Sequence, residues 1–187
     1  LESVLVLRVV PFNEVHAQYL EVQPEQKHVV ELLKSPDYID LLLMGEAYTV
    51  IQDGHVVMCA GVFPMTETIA RAWLVGGESM GRDMLRISRQ IFEFVKHCSY
   101  ARVETPVRRD FVNGHRWCRA LGFVNETPET GMKYYGFTGE TYDLYALYPQ
   151  EIMQHGQPQP LQETKAGHNC ARRPDKEGGG AGSKAGR

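Results

Sequence analysis

WLVGGESMGRDMLRISRQIFEFV, residues 73–95, decides how this chain folds. An apolar run rich in strand-forming residues ends at the pair Gly76-Gly77, and a long stretch of helical periodicity follows almost at once. Met84, Leu85, Ile87, Ile91, Phe92, Phe94 and Val95 form the apolar side of that helix. Arg82, Arg86 and Arg89 share another face at i, i+4, i+7 spacing.

Upstream, VLVLRVVPF (4–12) is β-branched and stops at Pro11, which suits a first strand. Asn13 offers a helix N-cap. A helical region follows with the apolar stripe Val29, Val30, Leu32 and Leu33, broken into short helices by Pro24 and Pro36. DYIDLLLMGE (37–46) predicts another helix, with Asp37 as cap and Gly45 as terminator. AYTVIQ and HVVMCAGVFPM flank Asp53-Gly54, the strongest two-residue hairpin signal, and IARAWLV (69–75) makes a third consecutive strand. Downstream, ARVETPV (101–107) is a strand and RDFVNGHRWCRALG (109–122) a helix stopped by Gly122. Residues 123–149, rich in tyrosine and glycine, predict a final hairpin. The order implies an α/β fold: a mixed, mostly antiparallel sheet flanked by helices.

One domain, 1–149, accounts for this pattern. The remaining 150–187, Gly/Lys/Arg-rich and nearly without apolar anchors, predicts a flexible tail. With 43% hydrophobic residues in 187, the chain supports one ordinary core. No apolar run approaches the roughly 18 residues of a membrane helix. The opening LESVLVLRVV carries Glu2 and Arg8 and no small-residue cleavage site, so it reads as a strand rather than a signal peptide. The four cysteines (59, 98, 118, 170) lack C-x-x-C spacing and read as free thiols. The seven histidines lack metal-ligand spacing, so no metal is expected.

Net charge is −3, unevenly spread: residues 1–81 carry −7 and residues 82–119 carry +5. An anion-binding role therefore belongs to the second block. Nucleic-acid binding is disfavoured there, because its aromatics fall on the apolar stripe and four acidic residues interrupt it.

The succession WLVGG, GRDMLRISRQIFEFV, ARVETPV and HRWCRALGF resembles the GNAT N-acyltransferase superfamily over roughly residues 4–148. In that family the fourth strand splays from the fifth and acetyl-CoA lies in the opening. A loop of pattern [Q/R]-x-x-G-x-[G/A] wraps its pyrophosphate, because free N–H groups at a helix start favour an anion. The resemblance implies that the backbone of Trp73, Leu74 and Val75 would hold the pantetheine arm. Gly76, Gly77, Met80, Gly81 and Arg82 would meet the pyrophosphate. Here the glycines depart from the family spacing, the leading Gln or Arg is missing, and Glu78 adds a negative charge. The family's general acid, a tyrosine four residues before the Gly of L-G-F, is replaced by Cys118. A carboxylate such as Glu46 or Glu67, or a water-relayed group, would accept the amine proton.

His115-Arg116-Trp117 followed by Leu121-Gly122-Phe123 further resembles the GNAT-like internal virion and morphogenesis proteins of short-tailed bacteriophages. That narrower resemblance implies a virion-associated structural or assembly protein, made in the host cytoplasm. It would occur in several identical copies, contact other virion proteins and use no cofactor, its cleft closed by Trp73 or Trp117. The alternative is an N-acetyltransferase moving an acetyl group from acetyl-CoA to an amine, which requires an open cleft and N–H groups converging after Val75.

Overall fold

The structure, a computed structural model, describes residues 7–82 and 84–155. Seven strands form one sheet: β1 (Leu7–Pro11), β2 (Ala47–Gln52), β3 (His55–Pro64), β4 (Ile69–Gly76), β5 (Arg102–Arg108), β6 (Val124–Asn125) and β7 (Tyr142–Leu147). Their spatial order is β1-β2-β3-β4-β5-β7-β6. Every neighbouring pair is antiparallel except β4 and β5, which are parallel. This is the mixed, mostly antiparallel α/β architecture that the sequence predicts.

The helices are α1 (Glu14–Gln18), α2 (Pro36–Leu43), α3 (Met84–Lys96), α4 (Val112–Ala120) and α5 (Pro149–His155). Asn13 caps α1, its side chain accepting from the His16 N–H at 3.1 Å. Asp53 (φ 49°) and Gly54 (φ 84°) make the β2–β3 turn, both in the left-handed region that a type I′ hairpin needs. Gly122 (φ 85°) ends α4 as expected.

Four expectations need correction. The stripe around Val29–Leu33 forms two 3-10 turns, Pro24–Val29 and Leu32–Lys34, where short α-helices are expected. Ser35, not Asp37, precedes α2, because Pro36 takes the first helical position, where its missing N–H costs nothing. The final hairpin is not tight. β6 keeps only two residues, paired with Ala146 and Tyr145, and a long loop separates it from β7, whose other edge makes six registered pairs with β5. Finally, the domain does not stop at 149: α5 continues it, with Ile152 buried among core residues. The remainder of the predicted tail, 156–187, lies outside the described residues.

The alternating strand faces carry two packing layers. On one face Phe12, Ala17, Leu20, Leu33, Ile39 and Leu42 cover Cys59, Phe63 and Val75. On the other, Val95 of α3, Cys118 of α4 and Leu121 just after it cover Val62, Ala70, Val103 and Val107. Cys59, Cys98 and Cys118 are free thiols. No helix among the described residues is long and apolar enough to cross a membrane.

Candidate active site at the parting of two parallel strands

β4 and β5 pair over only three positions: Ile69 with Arg102, Ala70 with Val103, and Arg71 with Glu104. Beyond that point β4 continues along β3 to Gly76, while β5 continues along β7 to Arg108. Two strands that part within a sheet leave unpaired edges and a gap between them.

Charged side chains latch the branch point. Arg71 Nη2 donates to Glu104 Oε1 at 2.6 Å, and Arg102 Nε donates to Glu104 Oε2 at 3.2 Å. Arg102 Nη2 also reaches Glu126 Oε2 at 2.6 Å. That bond is the main reason the Glu126 carboxyl sits below its usual range and the Arg102 guanidinium above its own.

Past the latch a cavity of about 580 Å³ passes through the sheet. Ile91, Phe94, Trp117 and Cys118 line it on the α3/α4 face, and Trp73, Tyr38, His28, Arg108 and Tyr142 on the other. The predicted closure by tryptophan does not occur, because each indole is held at the wall. Trp117 Nε1 donates to Ser88 Oγ at 2.7 Å on α3, and the Trp73 ring meets Phe12 edge-on at 5.3 Å.

The free edge of β4 is partly occupied from within the chain. Gln26 Nε2 donates to the Leu74 carbonyl at 2.7 Å, and the Gly76 N–H donates to Gln26 Oε1 at 2.8 Å. Gln23 adds a backbone bond to the Gly76 carbonyl at 3.0 Å and holds Gln26 Oε1 through its own Nε2 at 2.6 Å. One side-chain amide thus pairs with the strand as a peptide group would.

In the loop that follows, three N–H groups are spent within the protein. The N–H groups of Gly77, Glu78 and Met80 donate to the carbonyls of Val57 (2.8 Å), Glu21 (2.9 Å) and Gly77 (3.1 Å). Met80 is buried beneath the loop, and a Cβ at Gly76 would lie 2.9 Å from its Sδ, so glycine there makes room for core packing. Glu78 turns outward to solvent. Glu78–Arg82 forms a 3-10 turn into α3, and the side chains of residues 81–85, Arg82 among them, lie outside the described ones.

Cys118 lies in the α4 core, and burial pushes its thiol up to about 12. Such a thiol does not protonate a departing thiolate whose own pKa is near the ordinary value of about 8.5. His115 next to it is fully engaged: its Nδ1 accepts from the Tyr145 hydroxyl at 2.9 Å and its Nε2–H reaches the Arg109 carbonyl at 3.1 Å.

Neither carboxylate expected as proton acceptor reaches the chamber. Glu46 is exposed beside Tyr48, and Glu67 is exposed in the β3–β4 turn. The group that does reach it is His28, at the rim. Arg108 Nη1 donates to His28 Nδ1 at 3.4 Å, which leaves Nε2–H facing the Tyr142 hydroxyl at 3.5 Å. Burial lowers the His28 pKa, Arg108 lowers it further, and Glu140 opposes both. The net effect favours the neutral ring. The sequence carries no sign of this role, because the partners lie 80 and 114 residues away along the chain.

No protein-family model and no curated protein matches the sequence. Solved structures do match the fold. Ard1 from Thermoplasma volcanium aligns with TM-score 0.59 at 16% identity, covering 76% of this chain and 97% of that one. A putative acetyltransferase from Acinetobacter baylyi gives 0.58 at 13% identity, covering 78% and 94%. A GNAT family acetyltransferase from Elizabethkingia anophelis with acetyl-CoA bound gives 0.51 at 14%, covering 76% and 97%. The chain thus has the GNAT fold, and the resemblance read from residues 73–123 holds at the level of architecture.

Proposed function

We propose that the protein is an N-acyltransferase that moves an acetyl group from acetyl-CoA to an amine. The observation that carries this reading is the open chamber where β4 and β5 part. A thioester entering from the α3/α4 face and an amine entering beside His28 would meet at the edge of β4. Leu74 turns its N–H to the same edge as its carbonyl, where it can bond the thioester oxygen as negative charge grows there. The amine nitrogen adds to the thioester carbon, the C–S bond breaks, and the nitrogen gives up its proton. His28, neutral and at the rim, takes that proton at Nδ1, the nitrogen that the long Arg108 contact leaves weakly engaged. The departing thiolate takes its proton from water, since Cys118 is too weak an acid. A pantetheine arm on Leu74 would displace the Gln26 side chain, exchanging one amide for another.

A second reading is favoured by one observation: the N–H groups of Gly76, Gly77, Glu78 and Met80 are already bonded to protein oxygens. On that reading the fold is catalytically silent, uses no cofactor, and serves as a repeated structural or assembly subunit beside other proteins of a bacteriophage particle. Titration calorimetry with acetyl-CoA separates the two. Micromolar binding, about −8 kcal/mol, supports the acyltransferase, and no heat at millimolar ligand supports the silent scaffold.

A further inference from the structure

In antiparallel strands, residues directly opposite each other share one face of the sheet. Leu74 of β4 lies opposite Ala60 of β3, and Ala60 lies opposite Tyr48 of β2. All three stand beneath α3 on interior strands, yet each is only partly buried. The alanine is the cause, because its single methyl leaves a trough between two larger neighbours. Met58, Val50 and Val9 form the next row on the same face. Ile87 and Ile91 of α3 roof the trough, and Phe94 meets the Tyr48 ring edge-on at 5.3 Å along its side.

This trough is the arm of the chamber that runs away from the strand gap on the α3 face. No charged side chain among the described residues lines it; Glu25, His28, Arg71 and Arg108 line the opposite face. It begins at Leu74, where the proposed reaction seats the thioester oxygen. Two strand spacings, about 10 Å, carry it to Val50. Val9, 45% exposed on the edge strand β1, stands at its outer end. The whole chamber holds about 580 Å³, far more than a two-carbon acyl group fills. Three parts of the reactants compete for that room. A pantetheine arm carries amides, which find partners along the β4 edge and none among these side chains. The amine arrives from the His28 face and stops at the thioester carbon. The acyl group alone starts at Leu74 with a free end, and dry apolar walls favour hydrocarbon over water.

We infer that the trough takes the acyl chain of the donor, so that the site prefers thioesters of medium chain length to acetyl-CoA, and that Ala60 sets the length admitted. This rests on the acyltransferase reading and names its donor class. Its test is calorimetric titration of the full chain with acetyl-, butyryl-, hexanoyl- and octanoyl-CoA. A fully buried methylene is worth about fourfold in affinity, so Kd is expected to fall along the series, octanoyl-CoA binding at least about thirtyfold tighter than acetyl-CoA. Ala60→Leu fills the trough and is expected to cut that ratio at least about tenfold. Ala60→Ser barely changes the volume but sets a hydroxyl beneath the chain. It is expected to cut the ratio several-fold, and it serves where the larger side chain prevents folding. Acetyl-CoA binding with no gain along the series overturns the inference and leaves acetyl transfer intact. A gain that neither variant alters puts the chain elsewhere and overturns it as well. Tight octanoyl-CoA binding without CoA thiol release to any amine overturns the acyltransferase reading and leaves the trough as an acyl site. If no thioester binds, that reading falls too, and titration with octanoate against acetate decides for the trough, equal or absent binding overturning the inference.

Discussion

Gln26 does at β4 what a ligand amide would do, with a donor on the Leu74 carbonyl and an acceptor on the Gly76 N–H. Removing it frees both groups without touching the strand. Gln26→Ala is therefore expected to tighten acetyl-CoA binding about five- to tenfold, the worth of roughly one net hydrogen bond. Calorimetry on the variant reads it, and weaker binding would mean that the edge is not the cofactor's seat. His28 makes a second prediction. Its pKa lies below 6.5, chiefly through burial, so its proton-accepting form prevails at neutral pH and is lost as pH falls through that lowered value. The kcat/KM profile should be flat near pH 7 and fall in acid. Arg108→Gln, removing a charge that lowers the pKa, should move the fall to higher pH. A profile indifferent to Arg108→Gln would remove His28 from the mechanism. Cys118 and His115 were legible from spacing as the two notable residues of α4, yet both serve the core. Sequence shows where a residue type stands, and burial decides whether it has a free valence.

At the scale of elements, the latch at the branch point sets where the cavity begins. Glu104 receives both Arg71 and Arg102, with side chains only 14%, 19% and 22% exposed. Glu104→Ala leaves the half-buried Arg71 guanidinium without an anion, while Arg102 keeps Glu126, and is expected to cost about 3 kcal/mol of stability, read as a lowered midpoint in urea. A neutral result would show that water replaces the carboxylate. The β2–β3 turn, β4, α3 and α4 were all readable because each is fixed locally, by Asp53-Gly54, by β-branched runs, by 3.6-residue periodicity and by Gly122. The 3-10 turns at 24–34, the two-residue β6 and α5 were not readable. Each is decided by a partner far away in sequence: Gln26 by β4, β6 by β7, and Ile152 by the core beneath α3 and β5.

Across the whole molecule, the site is a product of topology more than of motif. The glycine loop that suggested an anion seat spends the N–H groups of Gly77, Glu78 and Met80 on Val57, Glu21 and Gly77, while the cavity arises because one parallel pair stops early. Those three registered pairs have another consequence. They are the ladder that joins a four-stranded meander, β1 to β4, to a three-stranded unit, β5 to β7. A seam so narrow divides the chain into two cooperative units that can loosen separately. Native-state amide exchange should therefore give two plateau opening energies, one for the β2–β3 ladder and another for the β5–β7 ladder. A single common value would show that the helices weld the halves together. Any small molecule spanning the gap then works as a suture, slowing exchange on both sides at once and coupling two halves that the backbone alone barely joins.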